Sequence, residues 1–280
     1  MNNSRTKGTA VITGASTGIG AIYADRLAKR GYDLTLVARN EERLNALAAR
    51  LTTETGRTVS SLRADLNDKA HLAKVEHMLR NDPSITMLVN NAGTAAITPL
   101  LQSDVEKMDD MIALNITALT RLTYAAAPAF VARGTGTIIN IASVVGISPE
   151  TLNGVYGGTK AYVIAISHSL QHELADKGIR IQAVVPGATA TDIWEKAGLP
   201  YQKLPPSIVM SPADMVDMAL VGLDLGELVT IPGLQDGDEW IRFEDARRAI
   251  SQRLGNSRPA PRYGMGIRQS AQRTPVRCYD

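Results

Sequence analysis

Tyr156 and Lys160 lie four residues apart in the run Tyr156-Gly157-Gly158-Thr159-Lys160, and Ser143 precedes them. Positions four apart in a helix share one face, so a phenol and an ammonium placed here can act on the same atom. An unperturbed tyrosine ionises near pH ~10, and ionising it around neutrality takes about 4 kcal/mol of favourable interaction. A neighbouring ammonium supplies a field of the required sign. Such a pair can carry protons to and from an oxygen, which points to an enzyme. Taken alone, most tyrosine–lysine pairs at this spacing are surface packing, so the surrounding chain has to decide.

The elements that must position them alternate in a βαβ rhythm. Short β-branched runs at Thr9 to Thr13, Asp33 to Ala38, Thr58 to Ala64, Thr86 to Asn90, Gly136 to Ala142 and Ile179 to Val185 read as strands. Between them, amphipathic stretches predict helices through Arg30, through Thr55, from Asp68 to Arg80, from about Asp104 to Arg133 and around Tyr156. This pattern predicts an α/β fold: a single Rossmann-type domain with a doubly wound, mostly parallel, seven-stranded sheet and helices on both faces. Ligands should then lie at the carboxyl ends of the strands. Residues 1 to 250 show no linker and read as one domain, with Thr191 to Pro212 breaking the rhythm as a flap over the cleft.

Thr13-Gly14-Ala15-Ser16-Thr17-Gly18-Ile19-Gly20 falls between the first strand and the helix after it. Gly14 permits a sharp turn, Gly18 and Gly20 allow close backbone approach to a ligand, and Ser16, Thr17 and Ile19 complete the loop. A helix beginning near Gly18 aims free N–H groups and a positive dipole end at whatever sits there, which makes a phosphate cradle. Arg39 closes the second strand, 19 residues beyond Gly20, where a dinucleotide fold commonly carries an acid for the adenosine ribose. An aspartate would repel a 2′-phosphate, whereas a guanidinium can take two of its oxygens. The residues therefore predict NADP(H) in preference to NAD(H), with Arg43 one turn along to assist.

With these pieces in order, the chain resembles the short-chain dehydrogenase/reductase family from about Thr9 to Thr191. The likeness is carried by the glycine turn, Asp65-Leu66 after the third strand, Asn90-Asn91-Ala92-Gly93 after the fourth and Asn115 in the long helix. Ser143 after the fifth strand, Tyr156 with Lys160, and Pro186-Gly187 followed by Thr189 and Thr191 complete it. The gap of 13 from Ser143 to Tyr156 is also the family's. The resemblance implies an NADP(H)-dependent oxidoreductase interconverting a carbonyl and a secondary alcohol by hydride transfer, with Tyr156 as general acid and base. Ser143 would bond the carbonyl oxygen, and Lys160 would lower the tyrosine pKa and hold the nicotinamide ribose. Asn115 would hold a water that relays protons to Lys160. Asp65, with Leu66, would meet the adenine; Asn91, Ala92 and Gly93 would line the central segment of the cofactor; Pro186, Gly187, Thr189 and Thr191 would sit against the nicotinamide and phosphates. Two departures, Ala142 in place of a frequent second serine and Gly157-Gly158-Thr159 in place of an alanine- and serine-containing linker, remove no group the mechanism requires.

Two rival readings are weaker. A dinucleotide-sensing or scaffold protein of the same fold would not need Asn115, Ser143, Tyr156 and Lys160 intact. A nucleotide-sugar epimerase or dehydratase is disfavoured by the three residues between the first two glycines of the cradle.

Composition sets the remaining bounds. Hydrophobic residues make up 44% of the 280, ample for one large core, yet no run approaches the roughly 18 apolar residues of a membrane span. The polar Met1 to Gly8 runs straight into a strand and shows no signal peptide, and the single Cys278 forms no internal disulfide, so a cytoplasmic protein is expected. No metal-ligand spacing is read. Residues 251 to 280 carry six arginines against Asp280 alone, which leaves the body at 24 basic and 27 acidic residues. The positive balance thus belongs to a basic extension lacking a fixed fold rather than to a nucleic-acid surface. The flap offers Ile193, Trp194, Leu199, Tyr201, Leu204, Ile208, Val209 and Met210, with Lys196 and Lys203 as its cations, and suits a small apolar carbonyl or alcohol. The small face Ala125, Ala126, Ala127 and Ala129 on the long helix would permit close approach of a second subunit in a homodimer or homotetramer.

Overall fold

A computed structural model of the protein describes residues 6–263. The expected basic extension is thus seen only in part: Arg268, Arg273, Arg277 and Cys278 lie outside the described residues. Strands β1 (Thr9–Thr13), β2 (Asp33–Ala38), β3 (Val59–Arg63), β4 (Ile85–Asn90), β5 (Gly136–Ile141), β6 (Ile179–Val184) and β7 (Val229–Thr230) form one sheet in the order β3-β2-β1-β4-β5-β6-β7. Every neighbouring pair is parallel. The helices are α1 (Gly18–Lys29), α2 (Glu41–Thr55), α3 (Lys69–Asn81), α4 (Val105–Ile112), α5 (Leu119–Arg133), α6 (Gly154–Leu174), the single turn α7 (Ile193–Lys196), α8 (Pro212–Leu225) and α9 (Gly237–Ser251).

Successive residues of a strand point to opposite faces, and both faces here are covered. Ile12, Leu36, Val89 and Ile139 pack under α1, α2 and α8, while their neighbours Val11, Val37, Leu88 and Ile138 pack under α3, α5 and α6. That two-sided burial explains why the strands read as continuous apolar runs rather than as alternation. Strand order reverses between β1 and β4, so the crevice where the crossovers part opens beyond Thr13 and Asn90.

A buried polar chain ties the centre of the sheet to α6. Asn90 Nδ2 donates to Asn140 Oδ1 (2.9 Å), and Asn140 Nδ2 donates to Ser167 Oγ (3.0 Å). Because an unpaired buried amide is costly, this chain fixes the register of α6 against β4 and β5.

The helix expected from Asp104 to Arg133 is interrupted. Between α4 and α5 the backbone widens into a π-turn over Ala113–Ala118, which contains Asn115. The alanine face also differs from expectation. Ala125 and Ala126 are fully buried in the chain's own core, where α5 packs on α3 and Arg121 pairs with the buried Glu76 (2.5 Å). Ala125 and Ala126 thus serve the approach of two helices of one chain, while Ala127 and Ala129 of the same expected face are only half-buried.

The described residues divide into two compact units, one running up to Gly233 and the other starting at Leu234. The sheet therefore ends well before residue 250, and α9 belongs to the second unit, where Asp236 caps it through Asp238 N (2.9 Å) and Trp240 stacks on Phe243.

Candidate active site

Tyr156 sits in the first turn of α6, which starts sharply because Asn153 caps it, accepting from Val155 N (2.9 Å) and Tyr156 N (3.3 Å). One turn on, Lys160 shares the face of Tyr156, with its Nζ 5.9 Å from the phenol ring centroid. That Nζ donates to the carbonyl of Ile141 at the end of β5 (2.9 Å). Ser143 follows β5 and is held by Pro186 O (3.4 Å). Gly146 and Gly157 let the Ser143 segment lie close on α6, since a Cβ at Gly146 would stand 2.7 Å from the Lys160 backbone and one at Gly157 3.0 Å from Pro149. Tyr156, Ser143 and Lys160 are all buried, in one cleft.

The electrostatics differ from expectation in one respect. Burial raises the Tyr156 pKa, and the hydrogen bond with Ser143 opposes that rise only in part; Lys160 is not among the causes. Burial also weakens the Lys160 ammonium, pushing its pKa down to about 8. Low-dielectric surroundings penalise both charged forms, so the phenol is held as a protonated acid rather than poised as an anion.

Asn115 is 2% exposed, which rules out a surface amide. Its Oδ1 accepts from Thr94 N (2.9 Å), and its Nδ2 donates to Thr94 O (2.9 Å) and Thr159 Oγ1 (3.1 Å). The amide thus joins the loop after β4 to α6.

The cradle fits a phosphate group. Gly14 and Gly18 have positive φ (66° and 55°), which β-carbon-bearing residues rarely adopt. Thr17 places no side-chain cap on α1, so the first N–H groups of that helix remain directed at the cleft, which Ser16, Thr17, Gly18 and Ile19 line. Gly20 has a packing role. A Cβ there would be driven into the Gly14 carbonyl and to 2.6 Å from Asn91 Nδ2, so its bareness serves packing of α1 on the loop. Asn91 closes the same joint, donating to Thr13 O (2.8 Å) and Gly14 O (3.2 Å). Thr13 Oγ1, which sequence reading passed over, accepts from the N–H groups of Asn91 and Ala92 (3.0 Å each).

Arg39 reaches the cleft at the end of β2, 75% exposed in its side chain and only loosely paired with Asp65 (4.0 Å). Arg43, Asp65 and Leu66 line the same end, as do Ala92 and Gly93 nearer the centre. Pro186, Gly187, Thr189 and Thr191 line the cleft beyond β6, and a Cβ on Gly18 would stand 3.2 Å from Thr191 Cγ2. All the predicted site residues except Gly20 and Asn115 line this cleft, and those two support it from behind.

The cleft measures about 1340 Å³. Past Tyr156 its walls come from two segments and are mainly apolar, with Asp104, Lys107, Asp110, Asp192 and Lys196 also among the lining residues. Ile193, Trp194, Leu199, Leu204 and Ile208 of the flap line one side, whereas Tyr201, Val209 and Met210 do not; Met210 packs into the core instead. The flap is pinned at its base by Ala190 N to Met210 O (2.9 Å) and Met210 N to Ala188 O (2.9 Å). The other wall, Ala95 to Met111, was missed in the sequence; there Ala96 and Met111 pack with Val145 against Tyr156. Among the described residues no group of His, Cys, Asp or Glu could hold a metal, and no helix is long and apolar enough to cross a membrane.

This sheet order, cradle and Ser–Tyr–Lys cluster define a dinucleotide-dependent oxidoreductase. The model of the short-chain dehydrogenase family matches residues 8–201, and the chain belongs to that family. An uncharacterised oxidoreductase of Staphylococcus epidermidis is 36% identical over 211 residues, 71% of this chain and 88% of that protein. A short-chain dehydrogenase from Sphingobium yanoikuyae, solved in complex with NADPH, is 50% identical with a TM-score of 0.89, covering 91% of this chain and 99% of its own. The bulky-bulky ketone specific alcohol dehydrogenase from Comamonas testosteroni is 43% identical with a TM-score of 0.85, covering 92% and 99%. The chain is an oxidoreductase acting between alcohols and carbonyls.

Proposed function

We propose that the chain reduces ketones bearing two large apolar groups to secondary alcohols with NADPH, and oxidises the alcohols in reverse, using Tyr156 as general acid and base. One observation carries this reading: Tyr156 and Ser143 face a single cleft that has a glycine cradle with an open helix N-terminus on one side and apolar walls on the other. When bound there, the nicotinamide supplies the hydride. Arg39 and Arg43 would take the 2′-phosphate, and the exposure and loose pairing of Arg39 leave it free to do so. The NADPH of the Sphingobium yanoikuyae relative supports the cofactor, and the substrate class in the name of the Comamonas testosteroni relative supports the ketone.

Tyr156 donates its proton to the ketone oxygen as charge grows there, and burial keeps that proton in place beforehand. The Ser143 hydroxyl, close enough to bond the phenol, donates to the same oxygen and stabilises it. Lys160 favours the phenolate left behind while it carries its own proton. Asn115 positions α6 through Thr159. The apolar walls orient the substituents and exclude water, which strengthens each of these interactions. We also read the enzyme as a cytoplasmic homodimer or homotetramer, from the family resemblance and the use of NADPH.

The test is steady-state NADPH oxidation with acetone, acetophenone and butyrophenone. kcat/KM should rise along that series, and NADPH should be preferred to NADH. Highest activity on acetone, or equal use of both cofactors, would contradict the reading.

A further inference from the structure

Asn153 stands three residues before Tyr156, is 5% exposed, and does not line the cleft. Both ends of its amide are in use. While Oδ1 caps α6, Nδ2 donates to the carbonyl of Thr98 (2.6 Å) and to Ser103 Oγ (3.1 Å). Ser103 Oγ in turn lies 2.9 Å from the carbonyls of Thr98 and Pro99, onto which its hydroxyl donates. One buried side chain thus joins the turn that carries the proton donor to the turn that closes the far wall of the cleft.

The wall needs such a fastening. Between the Thr94 tie to Asn115 and the start of α4, the chain makes only a short 3-10 turn, Leu100–Gln102, whose Leu100 and Leu101 are 79% and 96% exposed. Its own apolar residues therefore contribute little to holding it. Ala96, by contrast, belongs with Tyr156 to one buried apolar cluster, so any drift of this segment changes the space beside the phenol.

We infer that Asn153 is a positioning residue that sets the width of the ketone site by fastening the segment Thr98–Ser103 to the cap of the Tyr156 helix. The effect on substrates rests on the function proposed above; the fastening does not.

Asn153→Asp separates the two halves of the role. A carboxylate still accepts from Val155 N and Tyr156 N, and suits a helix N-terminus, but it cannot donate to the Thr98 carbonyl. With saturating NADPH, the variant should raise KM for butyrophenone at least tenfold and lower kcat less than threefold. Amide hydrogen exchange reads the fastening with no substrate present. Gln102 and Ser103, whose N–H groups bond Pro99 and Leu100, should exchange at least tenfold faster, while Gly157, deeper in α6, is unchanged. Ser103→Ala, which leaves the cap whole, should move both readouts in the same direction by at least threefold, and it decides the matter if Asn153→Asp does not fold. Unchanged exchange at Gln102 and Ser103 in the folded variants would overturn the inference. So would equal losses of kcat on acetone and butyrophenone, the mark of general structural damage. Failure of the wild-type enzyme to reduce either ketone would instead sink the proposed function, and exchange would still judge the fastening.

Discussion

The two ends of the cleft are made from different materials. At the cofactor end the shape is set by backbone: positive φ at Gly14 and Gly18, a missing Cβ at Gly20, an uncapped helix start, and an Asn91–Thr13 joint that locks the β1 turn to the β4 turn. At the substrate end it is set mainly by side chains on two irregular segments, whose backbone bonds are mostly local turns. A backbone site tolerates almost no substitution and is specific to one ligand chemistry. A side-chain site can change its walls without disturbing the sheet, which lets one scaffold serve many ketones.

The sharpest way to break this contrast is Gly20→Ala. Its Cβ meets a backbone carbonyl rather than a flexible side chain, so the loop must shift, at a cost of about 1–3 kcal/mol of stability, and NADPH affinity should fall by about 100-fold or more. A thermal midpoint and NADPH titration like those of wild type would refute the view that the cradle is set by backbone.

Arg39→Asp leaves the cradle intact and should change only its selectivity. Loss of a charge-assisted contact worth about 1.5–3 kcal/mol should cut the preference for NADPH over NADH by roughly 10- to 100-fold, as read from kcat/KM for each cofactor. Unchanged selectivity would remove Arg39 as the phosphate reader.

A smaller effect is expected from pH. Lys160 loses its proton near pH 8, whereas burial holds the Tyr156 proton upward. Above pH 8 the phenolate formed in the reaction loses its neighbouring cation, so the acid weakens and kcat for reduction should fall about tenfold between pH 7 and pH 9. A flat kcat profile over that range would show that Lys160 does not assist through its charge.

The same contrast governs what was legible in the sequence. Gly14, Gly18, Arg39, Ser143, Tyr156 and Lys160 could be read because backbone geometry and proton transfer demand those residue types at fixed spacing. The bounds of the first six strands were legible to within a residue, whereas β7, two residues long, was not located. The π-turn at Ala113–Ala118 goes with a tertiary tie of Asn115 to Thr94 and Thr159, partners that nothing local in the sequence announces. The wall from Ala95 to Met111 was missed for a similar reason: Ala96 and Met111 have no periodic pattern, and only the fold sets them against Tyr156. Ala125 and Ala126 misled because a small face looks alike whether it meets a helix of the same chain or of another. Asn153 offered one usable signal, an Asx residue immediately before the helix of Tyr156, though nothing local announces its bonds to Thr98 and Ser103.

The central claim is that the buried Tyr156 hydroxyl is the proton donor beside a hydride carrier, and Tyr156→Phe tests it most directly. Single-turnover NADPH oxidation with butyrophenone should slow by about 10²- to 10⁴-fold, while NADPH still binds, as followed by its fluorescence. An unslowed single turnover in the variant would contradict the claim.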